Sequence, residues 1–342
     1  MTTYEAVKVP LDPTPVQERM FRMYAGAARF AYNAALQHMK EQLEERKAQV
    51  ESGVGKKDLI KIDNNVIKLG YWWRANRDRL APWWDEVASQ VYNCAFDNLG
   101  KASSNFLKSL SGKRKGSPVG FPKFKPRSAV KSFAFSAITI PDDHGIRLPR
   151  IGRVHTLRNI HRLVAGRKVK TTTIRCEHDT WYASLLCETP EPAPPVNTKP
   201  DIWCVFTLEH IILSDGTRID LPRPYRQALE GLRKASRDLS RKARGSVRYE
   251  EQRRKVNRIH KRIKALRDTM LHELTRRLVD QYAVINIQKV NIKRGMRHHM
   301  LAQSLTDAAF AEFTRQLTYK SLNTGSVVHI LDPISIDDKM RA

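Results

Sequence analysis

The sequence is poor in cysteine, poor in acid and free of long apolar runs, and each shortage excludes something. Only four cysteines stand in 342 residues: Cys94, Cys176, Cys187 and Cys204. They lie far apart, with no Cys-x-x-Cys pair. That argues against a zinc ribbon or a disulfide framework and fits a reducing compartment. No apolar stretch approaches the roughly 20 residues of a membrane span. The opening residues, MTTYEAVKVPLDPTP, lack the apolar core of a secretory signal. Acid is scarce: 35 Asp and Glu face 61 Lys and Arg, a formal net charge of +26.

What is present in excess is positive charge. An imbalance of that size strains a compact fold unless a polyanion neutralises it, and the usual polyanion is nucleic acid. A protein of membrane surfaces would concentrate its charge in one tail or amphipathic helix. Here the charge is spread over most of the chain. A hydrophobic content of 41% and a charged content of 28% suit a globular protein with two or three cores.

Local patterns divide the chain. TYEAVKVPL (3–11) predicts a strand. Thr14 to Gln17 predicts a helix start, with Thr14 as cap, Pro15 at the first helical position and Gln17 completing a capping box. Met20, Tyr24, Ala27, Ala31 and Ala34 then share one helical stripe. Further helices are predicted over 56–70 and 86–108. YWWRANRDRLAPWW (71–84) carries four of the six tryptophans, which either pack a small helical core or stack on bases. SGKRKGSPVGFPKFKPR (111–127) has three Pro, three Gly and no acid. It reads as a loop, either a phosphate contact or a solvated basic linker. SFAFSAITI, GIRLPRIGRV, KVKTTTIRCEH and WYASLLCE follow as short strands, a pattern that suggests a small barrel.

ETPEPAPPVNTKP (188–200) is the clearest linker. After it, residues 202–219 predict a hairpin turning at Ser214, Asp215 and Gly216. Residues 223–280 predict two long helices broken near Gly245. In the second, Val256, Ile259, Ile263, Leu266, Met270, Leu274 and Leu278 keep helical spacing. Segment 223–270 holds 17 Lys/Arg against 5 Asp/Glu. A merely solvated helix mixes signs for i,i+4 pairing, so this bias favours a helical pair lying along nucleic acid. VINIQKVNI (284–292) predicts a buried strand. A basic turn, a helix over 301–320 and a strand over 325–331 complete an α/β order with a central sheet. His298 and His299 in that turn have no spaced partner, which favours a phosphate or surface role over a metal.

Taken together and in order, several stretches resemble the TnpB family of transposon-encoded, RNA-guided nucleases, relatives of type V CRISPR effectors. They are PLDPTPVQ, ARFAYNAAL, GFPKFK (120–125), IRLPRIGRV (146–154), WYASLLCE, LSDGTRI (213–219), LSRKARGSVRY (239–249), RIHKRI (258–263) and LAQSLTDAAFAEFTRQLTYK (301–320). Any one alone is weak; the set covers nearly the whole chain. The resemblance implies a multidomain α+β protein. Residues 1–13 and 112–190 would form a wedge-type β-barrel, with residues 14–111 inserted as a helical recognition domain. Residues 191–200 would be a linker, and 201–342 a RuvC-like domain of RNase H type, truncated before its zinc ribbon.

The resemblance also bears on chemistry. RuvC-type cleavage needs carboxylates that hold two Mg²⁺ ions. Counting back from Gly216, the family's first Asp falls at Cys204. Its Glu falls at Gln288, and its third Asp lies beyond the zinc ribbon. Asp201 and Glu209 sit an odd number of residues from 204, on the opposite strand face. Asp332, Asp337 and Asp338 lie in the tail. The expectation is therefore a protein that is not an enzyme, with Cys204 and Gln288 as vestigial positions and no catalytic residue. No catalytic Mg²⁺, structural zinc or other cofactor is expected. The pattern resembles that of nuclease-dead (TldR-type) relatives that repress transcription.

Implied partners are an omega-RNA-like guide from the transposon end, bound one protein per RNA, and duplex target DNA bearing an adjacent motif. No membrane is implied, and the location is the bacterial cytoplasm at the nucleoid. Motif reading would fall to Ser89, Asn93 and Ser136, which otherwise read as ordinary surface residues. Backbone contacts would come from Lys123, Lys125, Arg127, Arg150, Arg153, Arg241, Lys242, Arg244, Arg253, Arg254, Lys255, Arg258, Lys261 and Arg262. Three other readings stay open: an active RuvC nuclease with displaced ligands, a guide-independent RNA-binding protein, and a non-functional remnant.

Overall fold

The computed structural model describes residues 2–114, 116–128, 131–136, 138–190, 199–206, 210–221, 224–288 and 309–331. The chain divides into two units, residues 1–191 and 192–342. Among the described residues no helix is long and apolar enough to cross a membrane.

The first unit opens with β1 (Thr2–Asp12) and α1 (Pro15–Glu51). The α1 start follows from local chemistry. Thr14 accepts from the Gln17 amide, and the Gln17 side chain accepts from the Thr14 amide, so two otherwise orphaned donors are satisfied. Then come α2 (Val66–Leu80) and α3 (Ser89–Leu110). The expected helix over 56–70 is corrected: α2 begins only after the Asn65 cap. Before it, the chain lies along α1. Gln49 accepts from the Ile60 amide, Gln42 accepts from the Asp63 amide, and Arg46 donates to the Ile60 carbonyl. Side chains of α1 thus satisfy this backbone, and the buried Leu59 anchors it.

The strands β2 (Ser132–Phe135), β3 (Thr139–Asp142), β4 (Gly145–Leu148) and β5 (Gly152–Thr156) follow. A one-turn helix α4 (Ile160–Val164), β6 (Val169–Glu177) and β7 (Thr180–Pro190) complete the unit. One seven-stranded sheet runs β2-β6-β7-β1-β5-β4-β3, antiparallel throughout. Strand β1 pairs with β7 from Thr2 to Pro10 and with β5 only at Leu11 and Asp12. It therefore joins the two halves of the sheet. The core is aromatic. Phe21 of α1 packs edge-on against Phe133 and Trp181, and Tyr24 against Phe133. Each such burial contributes about 1.5–3 kcal/mol. The tryptophans of 72–84 also pack: Trp73 is buried against Tyr92 and Phe96, Trp72 stacks on His38, and Trp83 meets Phe30.

The second unit holds β8 (Ile202–Phe206), β9 (His210–Leu213), β10 (Arg218–Asp220), α5 (Pro224–Ser240) and α6 (Val247–Gln281). It continues with β11 (Val284–Gln288), α7 (Phe310–Thr324) and β12 (Val327–Leu331). The sheet order is β10-β9-β8-β11-β12. Strands β8, β9 and β10 form an antiparallel meander, whereas β11 runs parallel to both β8 and β12. The Ser214–Gly216 turn therefore joins β9 to β10, and the single hairpin expected over 202–219 is a three-stranded meander. Gly216, at φ +83°, supplies the left-handed turn position. One sheet face buries Ile202, Ile211, Leu213, Ile285 and Ile287 in a core with Leu271, Leu274 and Leu278 of α6 and Phe313 and Leu317 of α7.

Two expectations for α6 shift. Leu266 is 49% exposed, and Leu271 fills the core instead. The first half of α6 packs on α5, where buried Gln252 donates to the Ala235 carbonyl. The second half packs on α7, where Thr275 donates to Gln316. The buried stripe therefore moves around the helix between two partners. The helix expected over 301–320 is described from Phe310 on. The strand expected over 284–292 is described to Gln288, and its later residues lie outside the described residues.

Candidate nucleic-acid interface

In the first unit, α1, α3 and β2 enclose a cleft of about 700 Å³. Its lining includes Arg22, Arg29, Lys101, Lys125, Arg127 and Lys131, with Asp97 as the one acid among the described residues. Asp97 is itself paired with Lys101 at 2.5 Å. A cleft lined by one sign of charge concentrates field on whatever anion enters it. Asn93 and Ser136 both line this cleft. They come from α3 and from the end of β2, so the fold brings two distant polar residues together. Ser89 is exposed on α3 one turn before Asn93, and it is not part of the lining.

A further polar group, which the sequence reading missed, is bonded to one residue of this lining. Ser136 donates to the Gln90 side-chain oxygen at 3.3 Å. That bond ties Ser136 to α3. Nothing in the sequence singles out one glutamine on a helix surface; its partner lies 46 residues later.

The GFPKFKPR loop is docked on α1. Asn33 donates to the Lys125 carbonyl at 2.9 Å and accepts from the Lys125 amide at 2.8 Å, like a strand neighbour. Phe121 packs edge-on against Phe106, and Lys40 lies over Phe124. The Lys125 ammonium sits 3.9 Å over the Tyr32 ring, and burial lowers its pKa. Lys123 and Arg127 are exposed.

Arg150 and Arg153 are both paired within the protein. Arg153 grips Asp142 with two bonds, at 2.6 and 2.9 Å, and holds its carboxyl down at about 2. Arg150 donates to the Asp85 carbonyl. Both residues are also exposed, so these bonds leave guanidinium N–H groups facing solvent.

In the second unit the cations lie on the outer side of the helical pair. Arg241 and Arg244 are exposed and Lys242 half-buried in the turn after α5, where Gly245 at φ +87° and the Ser246 cap start α6. On α6, Arg254, Lys255, Arg258, Lys261 and Arg262 are exposed while Ile263 is buried. The spacing i, i+4, i+8 keeps Arg254, Arg258 and Arg262 on one stripe. Arg253 is bound to Glu250 at 2.8 Å.

Cys204 sits mid-sheet, 2% exposed, opposite Ile287 on one side and Leu213 on the other. Burial, aided by the charge of Asp215, pushes its thiol up to about 12. Asp215 accepts from the Tyr282 hydroxyl at 3.0 Å and from the Thr217 amide, and its carboxyl lies below the usual range. A protonated thiol among aliphatic side chains does not fit a hard divalent cation, which takes oxygen ligands. Gln288 closes β11 opposite Leu331. Asp201 is exposed, and the next residue of its strand parity, Trp203, is 53% exposed on the face opposite Cys204. Glu209, His298, His299, Asp332, Asp337 and Asp338 lie outside the described residues. Among the described residues, no three His, Cys, Asp or Glu side chains come together as a metal site.

A basic two-unit α+β chain with a cationic cleft and a cationic helical pair defines the class: a protein shaped to hold polyanions. Comparison narrows it. Residues 210–299 match the "Probable transposase" model of OrfB from IS605, and residues 1–48 match that family's helix-turn-helix domain. A Mycobacterium tuberculosis relative is 29% identical over 96% of this chain and 76% of its own length. An Escherichia coli K12 relative is 28% identical over 97% of this chain and 81% of its own. A Streptomyces pristinaespiralis relative is 29% identical over 96% and 77%. Each bears the name "Putative RNA-guided DNA endonuclease". Among solved structures, a Cas12f1–sgRNA–target DNA complex aligns at TM-score 0.44 and 9% identity, over 97% of this chain and 90% of that one. These matches make the chain similar to the TnpB family along nearly its whole length. The expectation that it is not an enzyme is thereby corrected: its relatives are named as endonucleases, and the family is one of nucleases.

Proposed function

We propose that the protein binds one structured guide RNA from a transposon end and is directed by it to duplex DNA carrying a short adjacent motif. Guide–target pairing then supplies sequence specificity, while the protein reads backbone shape and the motif. On this reading residues 14–111 are the recognition domain. Residues 1–13 and 112–190 form the wedge domain, and residues 201–342 the RuvC-like domain. Asn93 and Ser136 read base edges, and the α6 stripe holds phosphates. A lasting R-loop over a promoter represses transcription by occupancy, which depends on the binding surfaces alone.

The observation that carries this reading is the cleft that joins Asn93 and Ser136 to six cations. Sequencing of copurifying RNA tests it. One dominant species with a variable 3′ guide is expected, followed by guide-dependent retention of a matched duplex. Bulk cellular RNA and guide-independent retention would sink it. Strand scission scored with Mg²⁺ in the same reaction measures the activity that the relatives' names carry.

A further inference from the structure

Helix α1 is built from strong helix formers: Ala25, Ala27, Ala28, Ala31 and Ala35 surround its middle. Gly26 interrupts them, and glycine is the weakest helix former after proline. Among the described residues nothing calls for it. Its φ is not left-handed, and a Cβ built there meets no atom of the described residues within 4 Å, its chain neighbours and its own helix backbone aside. The open space above it is the basic cleft, which Arg22, Gly26 and Arg29 all line. Residues 22, 26 and 29 share one helix stripe. Arg22 and Arg29 are about 10 Å apart along the axis, at 1.5 Å per residue, with a gap the size of one side chain between them. A helix-interior glycine with free space above it and cations on both sides is a place where something outside the chain comes close to the backbone.

We propose that Gly26 is the point at which a phosphodiester backbone lying in the cleft makes van der Waals contact with α1, between Arg22 and Arg29. The inference rests on the reading of the protein as a nucleic-acid binder, and it adds a steric requirement to the electrostatic one. Arg22 is paired with Glu18 at 2.5 Å, one turn before it on the exposed side of α1, so it would exchange or share that partner when a phosphate arrives.

The test compares the full chain with Gly26→Ala and Gly26→Leu. Two probes are titrated: the copurified guide RNA on the protein, and a guide-matched DNA duplex on the RNA-bound complex. Gly26→Ala is expected to raise the thermal midpoint, because alanine is the better helix former. It is also expected to weaken binding by about tenfold, with Gly26→Leu weaker still. Loss confined to the RNA titration assigns the contact to the guide; loss confined to the duplex assigns it to target DNA. Wild-type affinity of Gly26→Ala for both probes would overturn the inference and leave the functional reading standing. So would a loss of binding that tracks a lowered thermal midpoint. A wild-type complex that binds neither probe would overturn the functional reading and this inference with it.

Discussion

Cys204 shows how one side chain reports on its surroundings. With its thiol pushed up to about 12, it stays protonated at pH 8. Iodoacetamide at that pH should spare Cys204 until the protein is unfolded, and mass spectrometry of the labelled peptides checks this. Labelling of the native protein would mean that β8 opens. Cys204→Asp would place a carboxyl in the same apolar setting, where burial raises its pKa above the unfolded value. The variant should therefore lose stability as pH rises above about 4, by on the order of 3 kcal/mol at pH 7. Equal urea midpoints at pH 4 and pH 7 would contradict that. Glu312 has the opposite sign. Hydrogen bonds from Arg315 hold it down at about 2. Its stabilisation is present above its usual value near 4.5 and is lost as pH falls toward 2, with about 1 kcal/mol left after solvent screening. Glu312→Gln should flatten that part of the acid-unfolding curve. At this scale the sequence shows chemistry but not company. The position of Cys204 is legible from its spacing to Gly216, while the Gln90–Ser136 bond depends on a contact that no local period encodes.

At the scale of elements, the basic loop and the helix ends decide most. Asn33→Ala removes both bonds to the Lys125 backbone and should release the 120–127 loop from α1. Limited trypsin digestion should then cut faster at Lys123 or Arg127, since Pro126 blocks cleavage after Lys125, and an unchanged cutting rate would show that the aromatic contacts alone hold the loop. Helix starts were largely legible because caps are local: Thr14 and Gln17 mark α1 from four letters. The segment before α2 was not, because Leu59 and Ile60 mimic a helical pattern while their backbone bonds go to the side chains of α1. The drift of the α6 stripe from Leu266 to Leu271 has the same origin. A long helix with two partners in succession has no single buried face to print in its sequence.

At the scale of the molecule, the net charge of +26 sets how binding responds to salt. If six to ten phosphates are neutralised, affinity for the guide RNA should fall by about 10³–10⁵ between 50 and 200 mM salt. Filter binding across that range measures the slope, and a flat response would remove the electrostatic basis of the functional reading. The α+β class and the basic character were legible in composition and order. The parallel placement of β11 between β8 and β12 was not, since strand order across a long crossover leaves no local mark.

That placement has a consequence for how the protein is made. During synthesis β1 can find β7 as soon as residue 190 has left the ribosome, which closes the first sheet around an aromatic core. In the second unit Ile202 faces Ile285, so β8 waits for the whole of α5 and α6 before its parallel neighbour exists. Non-local parallel pairing is slow and leaves apolar edges uncovered while it waits. The nascent chain thus carries a finished first half and an unfinished meander at once, and over that interval the second half is the part that chaperones would need to guard.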